Sequence, residues 1–212
     1  MAQGSFNDTF WTGQFPKWAG AAAMLGGALG ALGAFLHNLQ PIGCIGMDCP
    51  TAALRSATGI VPVAGSAACL LTLVGIAGMT LLARRSGQHR KLANASLITA
   101  AAGFILLFAG EIVQSGFFAG DFPGMPFFVI PGLLGVIAGF LMIGLLILRS
   151  GIFPRWLGIF FVVSTVALLA ANEQTPAVLL AIPFGLALVT AGYFMVSGGG
   201  RRLAAPPAPS AS

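Results

Sequence analysis

The chain has 212 residues, of which 57% are hydrophobic and only 7% charged, with a formal net charge of +5. A water-facing domain normally devotes about a quarter of its residues to charge, so a soluble globular fold is excluded. The basic residues fall in short clusters between long apolar runs rather than on a patch, which excludes a nucleic-acid surface and assigns them to membrane orientation.

Six apolar runs follow in chain order: Trp18 to His37, Gly59 to Ala83, Ala93 to Ala119, Phe127 to Leu148, Trp156 to Ala171 and Pro176 to Val196. A bilayer-crossing helix needs about 20 residues, and the fifth run is the shortest. Its Arg155 can snorkel to the headgroups. Asn172-Glu173-Gln174-Thr175-Pro176 separates the fifth run from the sixth with turn-forming residues. The predicted fold is an all-α integral membrane bundle of six transmembrane helices in one domain, residues 18–197. Residues 1–17 form a cytoplasmic or interfacial lead-in, and 198–212 a disordered cytoplasmic tail rich in Ala, Pro and Ser. The lead-in has no basic residue before Lys17, and the run after it is span-length, so the first span is expected to be retained rather than cleaved as a signal.

Loop charge sets the orientation. Lys17, then Arg84, Arg85, Arg90 and Lys91, then Arg149 and Arg155, then Arg201 and Arg202 fall in alternate connections. The intervening loops hold Arg55 as their only basic residue, with Asp48, Asp121 and Glu173. That alternation predicts both termini in the cytoplasm. The expected location is the cell membrane, and the richness in Ala and Gly with short loops leans toward a bacterial one.

Two patterns recur. Phe15-Pro16-Lys17-Trp18-Ala19-Gly20 enters the first span and Phe153-Pro154-Arg155-Trp156-Leu157-Gly158 the fifth, a shared F-P-[KR]-W-x-G. Proline suits a helix start, the cation stays at the cytoplasmic face and Trp sits at headgroup depth. Pro62, Pro131 and Pro183 each follow Val or Ile early in a span that begins outside. Each either kinks its helix or marks its first turn. Together the two patterns suggest a parallel hairpin repeat, against the alternative that membrane entry selects similar residues independently. The segment Arg149 to Gly158, reading RSGIFPRWLG, resembles a loop of bacterial multi-pass membrane proteins of unknown function. That resemblance implies a membrane helical fold and no activity.

Glu111 is the residue that architecture does not account for. It lies in the third span toward the outer side, where a carboxylate costs about 3 kcal/mol on insertion scales and so faces the bundle interior or water. Gln114 and Ser115 share its helix face, and His37, Asn38 and Ser66 lie at similar depth as possible partners. The stripe reads either as a proton-titrating or ligand-binding site, as a packing glutamate, or as a carboxylate near enough to the interface to be solvated. In the first outer loop, Cys44 and Cys49 are close enough in sequence to form a local disulfide. Their spacing with His37 and Asp48 matches no strong zinc pattern, so no metal is predicted, and nothing in the sequence names a cofactor. Cys69 reads as a small packing residue. Gly26 with Gly30, and Gly135 with Gly139, have the G-x-x-x-G spacing of close helix approach.

Three functions are compatible with these features. The first is a non-catalytic subunit or scaffold of a membrane assembly, partnered by another membrane protein or by copies of itself in the lipid bilayer. The second is a small transporter or binder of an apolar molecule, with Glu111 as titrating group. The third is an intramembrane enzyme on a lipid-like substrate, which needs a second group such as His37. The balance leans away from catalysis.

Overall fold

The computed structural model describes residues 14–43, 61–85, 89–117 and 123–198. Among them the chain forms six α-helices: α1 (Phe15–Asn38), α2 (Val61–Arg85), α3 (Arg90–Phe117), α4 (Pro126–Ser150), α5 (Arg155–Ala167) and α6 (Ala181–Ser197). Short 3-10 turns at Leu168–Ala170 and Pro176–Leu180 extend α5 and precede α6. Five of these segments are long and apolar enough to cross a bilayer. The α5 segment, with its 3-10 extension, reaches only about 25 Å at helical rise, against a hydrocarbon core of about 30 Å.

Sequence explains where the helices start and stop. Pro16 and Pro126 occupy first-turn positions, where the missing N–H costs nothing. Helices α4 and α6 end at Gly151 and Gly198, whose φ values of 64° and 69° are left-handed and natural to glycine. Between α5 and α6 the turn residues act as expected. Asn172 Oδ1 accepts from Gln174 N at 2.8 Å, and Thr175 Oγ1 caps the next turn by accepting from Ala177 N at 3.1 Å. Pro62 and Pro183 fall in the first turns of α2 and α6, while Pro131 lies inside α4.

The helices alternate in direction and close into a ring, each packed on its chain neighbours and α6 returning to α1. Glycines set the closest approaches. A Cβ on Gly20 would stand 2.8 Å from Gly192 O, and Gly27 and Gly185 meet backbone to backbone farther along the same α1–α6 seam. On α1's other side Gly75 and Gly78 admit Ala23 and Ala19. Gly135 and Gly139 let α4 lie on α3 at Gly103 and Ala100, and Gly158 seats α5 on Leu148 of α4. The weaker seams are α2–α3 and α5–α6. Across the ring Phe140 meets Phe104 and Phe184 edge to face and Phe161 at a tilt, with centroids 6.0, 4.6 and 6.2 Å away, so one aromatic cluster joins α3, α4, α5 and α6. The buried hydroxyls Thr80, Ser96, Ser164 and Thr165 bond to carbonyls of their own helices, which satisfies them without partners across the core.

The outer surface is apolar. Leu25, Leu32, Ile98, Ile105, Leu134, Ile159, Val163 and Leu186 are all at least half exposed. In water that surface would be costly, whereas in a bilayer it is matched, and the molecule is a membrane-embedded helical bundle. Every Lys and Arg among the described residues (Lys17, Arg84, Arg85, Arg90, Lys91, Arg149 and Arg155) belongs to one end of the ring, and Glu111 and Glu173 to the other. The two F-P-[KR]-W-x-G entries occupy the basic end and match over their last four positions, although Pro16 lies inside the first turn of α1 and Pro154 is the N-cap of α5. Lys17, Trp18, Arg155 and Trp156 point outward, Ala19 and Leu157 are fully buried, and Gly20 and Gly158 each lie against the preceding helix of the ring.

Candidate functional site

The site emerges from the faces of three helices. On α3, Ala93, Ala100 and Phe104 are buried at 0%, 0% and 6% exposure, while Ile98, Ile105 and Ile112 on the opposite side are about two-thirds exposed. With 3.6 residues per turn, Glu111 continues the Ala93–Ala100–Phe104 face, yet Glu111 is exposed. It therefore stands on the side that seals the bundle, past the point where the seal ends. Helix α2 repeats the pattern. Thr72, Ile76 and Ala83 are buried on one face, and Gly65, next on that face toward the end opposite the basic residues, is exposed.

Helix α1 shows the same change along its α2-facing stripe. Ala19, Ala23 and Gly26 touch α2 closely; a Cβ on Gly26 would stand 2.9 Å from Thr72 Oγ1. Farther along, Gly30 and Gly33 are half-buried and have nothing within 4 Å of an added Cβ among the described residues, and Gly65 on α2 is equally open. The α1–α2 seam is thus closed toward the basic end, and beyond it no described residue lies against Gly30 or Gly33. His37 follows on the same stripe. It is 5% exposed, and its Nε2 has no hydrogen-bond partner among the described residues.

Depth follows from helical rise. Gly65 is about 30 Å along α2 from Arg85, and Glu111 about 30 Å along α3 from Arg90, so both stand level near the far edge of a hydrocarbon core. The Glu111 carboxylate lies within electrostatic reach of Cys69 on α2, one turn from Ser66. Phe104 is about 10 Å below Glu111 on its face. The Phe104–Phe140–Phe184 cluster therefore lies beneath the open end, toward the basic side.

Of the residues singled out in the sequence, Glu111 is exposed, while Gln114, Asn38 and Ser66 are half-buried. Ser115 lies in α3, but its side chain is outside the described residues, as are Cys44 and Cys49 and with them the predicted disulfide. His37 and Glu111 are at the same end, but the unpartnered Nε2 is not bonded to Glu111. Among the described residues no three of His, Cys, Asp and Glu gather to hold a metal. Of the G-x-x-x-G pairs, Gly135 and Gly139 both touch α3, whereas Gly26 touches α2 and Gly30 has nothing within 4 Å of an added Cβ among the described residues. Sequence reasoning misses Gly20 with Gly27 and Gly185 with Gly192; their shared heptad spacing on two antiparallel helices is the signal that could have found them. No family model matches the chain, and no curated protein or solved structure matches it.

Proposed function

We propose that the protein is a six-span cell-membrane protein, with both termini in the cytoplasm, that binds an amphipathic molecule at its outer end through Glu111. Six spans are supported by α5 running between the two ends of the ring. It packs antiparallel on α4, with Gly158 against Leu148 and Gly144 against Val162. Beyond it, Gln174 O accepts from Gly43 N at 3.0 Å at the far end. The orientation is supported by the gathering of Lys and Arg at one end. The binding reading is carried by one observation: Glu111 lies on the bundle's sealing face and is exposed there. A carboxylate so placed offers a charge-assisted contact to a polar head. The aromatic cluster beneath argues for a closed-bottomed site rather than a pore.

The test is binding of a fluorescent long-chain alkylammonium to the purified full chain and to Glu111→Gln, which keeps shape and removes charge. Loss of a charged hydrogen bond should weaken binding about tenfold; equal affinity would remove Glu111 from the site. In the same reading the first outer loop carries a Cys44–Cys49 bridge. Mass spectrometry without reductant should find the linked peptide, and free thiols at both positions would exclude it.

A second reading, a scaffold that receives a partner helix, is favoured by the open glycines of the α1–α2 seam, where a neighbouring backbone can approach. Under it, Gly30→Leu would reduce the particle size in mild detergent, and Glu111→Gln would change neither size nor binding.

A further inference from the structure

The two F-P-[KR]-W-x-G entries share their chemistry and differ in what stands beside them. At α1, Trp18 is 68% exposed, and Gly20 lies against Gly192 of the adjoining α6. At α5, Trp156 meets Phe194 of α6 edge to face, with centroids 6.2 Å apart. Tyr193, the chain's single tyrosine, meets Phe194 in turn at 6.0 Å. Deeper in the same seam Phe161 and Phe184 are 5.5 Å apart. The two helices therefore meet through rings, while their glycines turn elsewhere, Gly158 toward α4 and Gly185 and Gly192 toward α1. The chain joins α5 to α6 at the far end. At the basic end the seam is thus a mouth between the start of one helix and the end of the other. Trp156 and Tyr193 are each more than half exposed there, and Arg155, next in the chain to Trp156, is exposed as well. All three lie within about one turn of the helix ends, at headgroup depth.

We infer that this mouth binds the headgroup of an anionic phospholipid, with its phosphate on the Arg155 guanidinium and its other oxygens toward the Trp156 indole N–H and the Tyr193 hydroxyl. Guanidinium and indole donate hydrogen bonds and accept none, and a phenol can donate a third. Charge selects the anionic head. The carboxylates among the described residues, Glu111 and Glu173, both stand at the opposite end, so none of them is a counter-ion for Arg155. The sequence after α6 adds Arg201 and Arg202 and no acid. A basic side chain at the membrane surface attracts an anionic head, and a guanidinium can hold two phosphate oxygens at once. The acyl chains have a place below the head. Ile159 and Val163 continue the Trp156 stripe of α5, and Leu186 the Tyr193 stripe of α6, all of them at least half exposed. The site is independent of Glu111, which stands at the other end of the ring.

The test uses the full chain with Trp11→Phe and Trp18→Phe, so that Trp156 alone reports by fluorescence. It is reconstituted in phosphatidylcholine vesicles carrying an equal fraction of either brominated phosphatidylglycerol or brominated phosphatidylcholine, whose bromines quench a tryptophan they touch. Quenching of Trp156 should favour the phosphatidylglycerol about threefold or more. The twin reporter keeps Trp18 and carries Trp11→Phe and Trp156→Phe. It meets the same lipids beside Lys17, and its preference should be smaller. Arg155→Gln should bring the Trp156 preference down to the Trp18 level. Tyr193→Phe, which keeps the ring and removes the hydroxyl, should lower it in part. Circular dichroism and gel filtration would confirm that each variant is folded. Equal quenching of Trp156 by the two lipids would overturn the inference, leaving only ordinary contact with the bilayer. Equal preference at Trp156 and Trp18, or a preference that survives Arg155→Gln, would overturn it as well, leaving the general attraction of a basic membrane face.

Discussion

Helix α1 carries the same residue type into two opposite situations. Toward the basic end, Gly20 and Gly27 lie so close to α6 that a side chain has no place: a Cβ on Gly20 would stand 2.8 Å from Gly192 O, and Gly27 meets Gly185 still more closely. Toward the other end, Gly30 and Gly33 face α2 with nothing within 4 Å among the described residues. In the first region glycine lets two helices touch, so that dispersion holds together a bundle whose surroundings are as apolar as its core. In the second, glycine leaves room beside a helix. The residue is the same and the partner backbone decides. That contrast separates the α6-facing side of α1, which stays closed as far as Ala31, from the α2-facing side, which has room at Gly30 and Gly33.

Substitutions can be used to break the contrast. The largest effect belongs to Phe140→Ala, because Phe140 is 2% exposed and touches rings from three other helices. The loss of stability should be about 3–5 kcal/mol, read as a fall in the detergent or denaturant midpoint; a midpoint shift near zero would mean the aromatic cluster does not hold the closed half together. Next comes Gly192→Leu, whose side chain would collide with the Gly20 carbonyl and Met24. Overpacking there should cost about 1–3 kcal/mol. Smallest is Gly30→Leu, which should change stability by less than about 0.5 kcal/mol while obstructing the seam. If Gly30→Leu proves as damaging as Gly192→Leu, the two seams are not different in kind.

Much of the fold is legible in the amino-acid sequence. Each apolar run agrees with its helix to within a few residues, because hydrophobic length and flanking charge act locally. The F-P-[KR]-W-x-G entries are legible for the same reason: proline, cation and aromatic each answer to the interface rather than to a neighbour. Glu111 is recognisable as unusual because a carboxylate in an apolar run is conspicuous whatever surrounds it. What it faces is not legible. Periodicity places Glu111 on the face of Ala93, Ala100 and Phe104, and periodicity alone would bury it there. Its exposure depends on how far the neighbouring helices cover the end of α3, which is set by packing between segments distant in sequence. The glycines make the same point. Gly26 and Gly30 form one G-x-x-x-G pair, yet only Gly26 meets another helix among the described residues. Spacing identifies a face and cannot say whether a neighbour covers it.

Glu111 stands exposed at the end of the bundle opposite the basic residues, which the proposed orientation puts outside the cell. The most direct test is labelling of Glu111→Cys by a membrane-impermeant maleimide on intact cells, in a background with Cys44, Cys49 and Cys69 replaced by alanine and Phe104→Cys as the control. The open end predicts rapid labelling from outside at position 111 and none at position 104, about 10 Å deeper on the same face. Protection of position 111, or labelling of it only after the cells are opened, would contradict the account.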